Sequence, residues 1–196
     1  LGAPVHARNF TARIAKKKMV EAGQPPEVVL TSPAWPATVQ AGPFSVGFVP
    51  MSHSLPEASA MVIDTPAGRI FHTGDFKLDL APGVGEPFDA ELLRRIGAQG
   101  VKVLVCDSTN IFSLHPGRSE SSLAPAITDL IRNAPGLVVA TTFASNVARL
   151  RTLARAARDA GRSVCLLGRA MQNMVRTASE SGLLTDFPPT VSPDEA

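Results

Sequence analysis

The chain reads as an α/β protein in two parts, and three observations lead to that reading. Residues 44–73 hold apolar runs separated by turn residues, the pattern of adjacent strands joined by a hairpin. Val101 to Cys106 is a continuous apolar run, which fits a strand buried on both faces. From residue 121 onward the pattern becomes helix, strand, helix, strand, helix, and such alternation predicts a parallel sheet covered by helices.

Taken in order, residues 4–8 predict a short strand. Asn9 is the expected N-cap of an amphipathic helix from Phe10 to Ala22, stopped by Gly23. Lys16, Lys17 and Lys18 fall on its exposed side and read as a solvated face. Val28 to Leu30 and Ala37 to Gln40 are short edge-strand candidates. Phe44 to Val49, Ala60 to Thr65 and Arg69 to Thr73 are stronger ones, with Pro66-Ala67-Gly68 as the turn between the last two. Asp89 is placed to cap a helix over Ala90 to Ile96, in which Leu92, Leu93 and Ile96 recur at helical spacing. Beyond the loop Pro116 to Glu120, the sequence predicts helix 121–133, strand 137–142, helix 146–160, strand 163–167 and helix 170–181. A boundary is expected near residue 118.

Composition narrows the class. The 196 residues are 44 % hydrophobic and 18 % charged, values of a globular chain with a core rather than a disordered one. A formal net charge of +2 does not by itself demand a nucleic-acid partner, although a local basic groove can still bind one. No apolar run approaches the roughly 20 residues of a membrane helix, so no membrane partner is expected. The two cysteines, Cys106 and Cys165, lie in apolar runs and read as buried free thiols in a reducing compartment, the cytoplasm. The opening Leu1-Gly2-Ala3-Pro4 reads as mid-strand and the ending Pro188 to Ala196 as linker, so an internal segment of a longer protein is expected.

The chemistry concentrates in residues 53–77. His53 follows one strand candidate and Asp75 follows another, and a hairpin can bring both to one rim of a sheet. An imidazole nitrogen and a carboxylate oxygen on rigid strands facing an open edge suit a metal ion. Gly74 permits the backbone angle such a turn needs. His72 lies within its strand, and alternation relative to Asp75 makes direct ligation awkward; a supporting role fits it better. Ser54 and Glu57 are placed to hydrogen-bond a ligand or simply to cap the turn. Asp107 ends the apolar strand, where α/β folds put chemistry. Ser145 and Asn146 open one helix and Arg169 opens another after the next strand. Backbone N–H groups at such termini suit phosphate, although on spacing alone ordinary helix capping is the better account. Trp35, between prolines, reads as a loop anchor, and most phenylalanines read as core.

The segments HSLPEA (53–58), HTGDFK (72–77), DSTN (107–110), FASN (143–146) and GRAM (168–171) occur in that order. Together they resemble the metallo-β-lactamase fold of the β-CASP nucleases, and most nearly the ribonuclease J family. The resemblance implies part of a metallo-β-lactamase αββα sandwich over residues 1–118, its C-terminal part. It implies the first part of a Rossmann-like αβα β-CASP domain over 119–196. It further implies His53 and Asp75 as metal ligands, with Asp75 bridging two divalent ions and Asp107 in catalytic support. The ions expected are zinc, with manganese or magnesium as alternatives. RNA is the implied partner, held between the two domains and contacted by Ser145, Asn146 and Arg169. Ala170 departs from the family, which usually has serine there, and one phosphate donor is lost with it.

The family's HxHxDH signature does not occur in these residues, so the chain alone is expected to bind metal weakly and to hydrolyse RNA inefficiently. A homo-oligomer is expected for the full-length protein. The implied function is metal-dependent RNA phosphodiester hydrolysis, endonucleolytic or 5′-to-3′ exonucleolytic. The rivals are a non-catalytic RNA-binding or assembly paralogue and a metallohydrolase of small substrates.

Overall fold

The computed structural model describes residues 3–115 and 117–195. Leu1, Gly2, Pro116 and Ala196, which the sequence assigns to an opening strand, a loop and a terminal linker, lie outside them. The chain divides into two compact units. One comprises the residues up to His53, Glu57–Leu80 and Glu86–Gly117; the other comprises Ser54–Pro56, Ala81–Gly85 and the residues from Arg118 onward.

In the first unit, β1 (Val5–Ala7) pairs in parallel with β2 (Val29–Thr31), with Val5 opposite Val29 and Ala7 opposite Thr31. Helix α1 (Asn9–Glu21) joins them, burying Phe10 and Ala12. Asn9 does not cap this helix. Arg8 occupies the cap position in extended backbone and offers no side-chain cap. The Phe10 amide instead donates to the Glu57 carboxylate at 2.5 Å. A long-range carboxylate has replaced the local cap, and Asn9 Oδ1 accepts from Arg13 Nε at 3.1 Å.

The main sheet has the order β3-β4-β5-β6-β7, where β3 is Thr38–Ala41, β4 Phe44–Pro50, β5 Ser59–Thr65, β6 Gly68–His72 and β7 Val103–Val105. All neighbours are antiparallel except β6 and β7, which run parallel. The alternation legible in the sequence has its physical meaning here: Ala60 and Val62 of β5 are fully buried while Ser59, Met61 and Ile63 beside them are not. They join Val49, Met51, Phe71 and Ile96 in one core, against which Trp35, Leu92 and Leu93 pack. Ile96 comes from α2 (Ala90–Ala98), so this helix covers that face of the sheet. Asp89 caps it as the sequence predicts, accepting from the amides of Glu91 at 3.0 Å and Leu92 at 2.9 Å.

The continuous apolar run at 101–106 turns out differently. Its strand is limited to β7, whose residues are exposed on both faces, Leu104 by 62 %. Among the described residues no strand pairs with the outer edge of β7, and an apolar run can be buried only where something covers it. Cys106 is exposed for the same reason; both cysteines are free.

The second unit is built on helices. A short 3-10 turn (Glu120–Leu123) leads into α3 (Ala124–Asn133), followed by α4 (Val147–Asp159) and α5 (Arg169–Glu180). Asn146 caps α4, its Oδ1 accepting from the Arg149 amide at 3.0 Å. The largely buried Glu120 accepts from Arg149 Nε at 2.5 Å and ties the 3-10 turn to α4. The parallel sheet expected here does not form among the described residues. Residues 137–142 are not in a strand, and 163–167 contribute one isolated bridge, Cys165 to Val191. Leu137 and Val139 are 89 % and 77 % exposed. A strand needs a neighbour for its backbone groups, and these segments have the apolar composition without the neighbour. Phe112 and Phe143 are likewise exposed rather than in a core. Taken together the chain is a mixed α/β protein with parallel and antiparallel pairing, and among the described residues no helix is long and apolar enough to cross a membrane.

Gly47 in β4 faces Trp35 so closely that a Cβ there would overlap the indole ring. Gly47→Ala should therefore cost about 1–3 kcal/mol of stability by overpacking. In a Trp35→Ala background the same substitution should cost far less. Urea unfolding of the two single variants and the double variant measures the difference.

Candidate metal centre

The strand directions decide which side chains meet. Because β5 is antiparallel to both β4 and β6, those two run parallel to each other, and β7 runs parallel to β6. The C-terminal ends of β4, β6 and β7 therefore lie at one end of the sheet. His53 follows β4, Asp75 follows β6 and Asp107 follows β7, so all three emerge there. His53 is half-buried and Asp75 is exposed.

Each of these residues sits in a local frame. Gly74 has φ 59°, and a Cβ on it would stand 3.0 Å from the Ser59 carbonyl oxygen at the start of β5. Both facts require glycine beside Asp75. The Gly74 amide donates to His72 Nδ1 at 3.0 Å, which makes Nδ1 the acceptor and leaves Nε2 to carry the proton of the neutral ring. The His72 side chain thus shapes the turn that leads to Asp75. The buried Thr73 extends the pairing beyond β6: its amide donates to Val105 O at 2.9 Å, and its Oγ1 accepts from the Asp107 amide at 2.9 Å. Through Thr73 the turn carrying Asp75 is fastened to the strand end carrying Asp107.

Asp107 is held by the turn that follows it. Its Oδ1 accepts from Thr109 Oγ1 at 2.6 Å and from the Thr109 amide at 2.9 Å. The Thr109 hydroxyl is the main reason that its carboxyl lies below the ordinary value of 3.8. The Thr109 amide acts in the same direction, desolvation opposes it, and the Phe76 amide and the positive charge of nearby His53 lower it further. The Phe76 hydrogen bond also joins Asp107 to the residue that follows Asp75.

Ser52, immediately before His53, is buried and bonded to the 77–79 segment. The Lys77 amide donates to Ser52 O at 2.8 Å, Ser52 Oγ donates to Lys77 O, and the Asp79 amide donates to Ser52 Oγ at 3.1 Å. Asp79 itself is buried, with Lys77 Nζ 3.5 Å from its carboxylate. Glu57 adopts φ 59° and is half-buried. Its carboxylate serves the start of α1 and lies 3.7 Å from Arg8, which also forks onto Glu86 at 2.6 and 2.8 Å. Ser54 groups with the second unit. In that unit Ser145 and Asn146 stand at the start of α4 and Arg169 is exposed at the start of α5. Sequence reasoning passes over Ser52, Thr73, Asp79 and Thr109. All four lie in or beside the singled-out motifs, and that adjacency is the available signal.

Comparison with known proteins follows from these segments. Residues 135–195 match the family model described as the β-CASP domain of ribonuclease J. A ribonuclease J from Sinorhizobium meliloti is 40 % identical over 195 residues, covering 100 % of this chain and 35 % of the relative. Ribonuclease J of Mycobacterium tuberculosis is 38 % identical over 181 residues, and that of Thermus thermophilus 37 % identical over 185; each alignment covers 92 % of this chain and 32 % of the relative. A crystal structure of a protein of unknown function from Enterococcus faecalis superposes with a TM-score of 0.64 at 18 % identity, over 99 % of this chain and 50 % of that one, which is a likeness of fold. The chain is thus similar to ribonuclease J along its whole length, and to the β-CASP domain model over residues 135–195. It spans 32–35 % of the length of these curated relatives.

The hold of Thr109 on Asp107 has a pH signature. A carboxyl whose folded pKa is depressed contributes stability that is full above its unfolded pKa, about 4, and is lost as pH falls through the lower folded value. Thr109→Val removes the hydroxyl bond and keeps the amide bond. The Asp107 pKa should rise toward its ordinary value, and the stability lost on acidification should be smaller and its loss complete at higher pH. A carbon-13 carboxyl titration by NMR reads both chains.

Proposed function

We propose that this chain supplies part of the active centre of a metal-dependent ribonuclease that hydrolyses RNA phosphodiester bonds. The observation that carries this reading is the shared exit of His53, Asp75 and Asp107 at one end of the sheet, in a chain similar to ribonuclease J. The donor set suits the reading: an imidazole and carboxylates are the ligands that zinc takes, and manganese or magnesium accept the carboxylates. The set is also partial. Among the described residues no group of three or more His, Cys, Asp or Glu is arranged to hold a metal. We therefore assign His53 and Asp75 as a share of the ligands of two divalent ions, with the remainder supplied from outside these 196 residues.

Bound ions of this kind lower the pKa of a water and stabilise charge on the phosphoryl oxygens. The chain's own residues hold and aim. Asp75 offers its carboxylate from a turn fixed by Gly74 and His72. Asp107 is immobilised by Thr109 and the Phe76 amide and lies near His53. Arg169 is an exposed cation available to an RNA phosphate, and the Ser145 hydroxyl and the Asn146 amide nitrogen are donors at the start of α4. Residues 1–118 are the C-terminal part of a metallo-β-lactamase domain in this reading, and 119–196 the first part of a β-CASP domain. Cytoplasmic action, homo-oligomerisation and endonucleolytic or 5′-to-3′ exonucleolytic cleavage belong to the same proposal. The chain by itself hydrolyses RNA inefficiently.

The test is a chimera in which this chain replaces the matching segment of the Sinorhizobium meliloti ribonuclease J. The chimera should cleave labelled RNA in the presence of zinc or manganese. His53→Ala or Asp75→Asn in it should reduce the rate by at least about 100-fold. Cleavage that survives both substitutions would remove the metal assignment.

A further inference from the structure

The sheet leaves a gap in the placement of the two proposed ligands. β4 and β6 are not neighbours, because β5 lies between them, which sets them about 9.6 Å apart at the usual strand spacing. Ladder pairing of β4 ends at Pro50 opposite Ser59, and that of β6 toward β5 ends at His72 opposite Met61. Beyond those points the sheet no longer fixes His53 relative to Asp75. Yet a shared metal centre requires donors whose positions are set to a fraction of an ångström.

Ser52 spans the gap. Its carbonyl accepts from the Lys77 amide at 2.8 Å, its hydroxyl donates to the Lys77 carbonyl, and the same hydroxyl accepts from the Asp79 amide at 3.1 Å. It is one residue before His53 and 1 % exposed, and Asp79 is 3 % exposed, so these bonds are made away from water. A hydroxyl is suited to the task because it donates and accepts through one atom. The far side of the clasp is anchored in turn: the Phe88 amide donates to Asp79 O at 2.9 Å, and Met51 N donates to Ala58 O at 2.9 Å on the near side. We propose that Ser52 is a positioning residue, which clasps the segment bearing His53 to the segment following Asp75 and so sets the spacing of the two metal donors. The inference rests on the metal reading of those two residues.

The experiment compares the chain, Ser52→Ala and Ser52→Thr by NMR. Amide hydrogen exchange and a zinc titration followed at the His53 ring are both recorded. In Ser52→Ala the Lys77 and Asp79 amides should lose protection by about tenfold while those of β5 keep theirs. The zinc concentration needed to move the His53 resonances should rise by about tenfold. Ser52→Thr, which keeps the hydroxyl, should restore both. Unchanged protection at Lys77 and Asp79 overturns the proposal. So does a uniform loss of protection through β4, β5 and β6, which would make Ser52 a packing residue only, and so does lost protection with zinc response unchanged. If the unsubstituted chain shows no zinc response at His53, the metal reading of that residue fails. The positioning is then decided by the ring itself: Ser52→Ala shifts or broadens the His53 signals where the clasp sets its place, and leaves them unchanged where it does not.

Discussion

The antiparallel pairing of β5 on both its edges is the constraint on which the rest of the first unit depends. A strand paired antiparallel to two neighbours forces those neighbours to run the same way. The exits of β4 and β6 must then lie together, at the end where β5 begins, and the parallel addition of β7 brings a further exit to the same place. The core follows from the same strand. Ala60 and Val62, both fully buried, are the centre around which Val49, Met51, Phe71 and Ile96 close. Burial on one face and polar exits at one end are thus two results of a single ladder.

The connection between His53 and β5 shows how local strain is held by distant partners. Glu57 is in the left-handed backbone region, an unfavourable place for a residue with a Cβ, costing about 1–2 kcal/mol. Its side chain is charge-bonded to the first turn of α1, an interaction of about 1 kcal/mol, and lies near Arg8, which forks onto Glu86. The two magnitudes are comparable, so the turn is maintained by α1 and the Arg8 pairing together. Helix α1 is therefore part of what shapes the approach to the candidate site.

Much of the first unit was legible because its signals are local. The strands β4, β5 and β6 show their apolar runs and their turn, and α2 shows both its cap and its stripe. Asn9 misleads because the capping carboxylate, on Glu57, lies 47 positions in sequence from the Phe10 amide that it accepts from. The apolar runs at 101–106, 137–142 and 163–167 were misread in another way. Composition states that a segment favours burial, and only the fold decides whether a covering partner is there. At the candidate site, His53, Asp75 and Asp107 could be singled out because metal chemistry restricts the residue types that serve. Ser52, Thr73 and Thr109 could not, since a serine or threonine in a loop has many uses and its bonds are to backbone brought close by the sheet.

The edge of β7 carries a consequence for the chain in solution. Val103, Leu104 and Val105 expose apolar side chains beside a row of backbone donors and acceptors that no strand pairs among the described residues. It is a short edge with Lys102 directly before it, and no proline or bulge interrupts it. Self-assembly by edge-to-edge accretion is the natural hazard of that surface. Its onset would depend steeply on protein concentration, and dilution would reverse it so long as the added strands had not locked into a cross-β register.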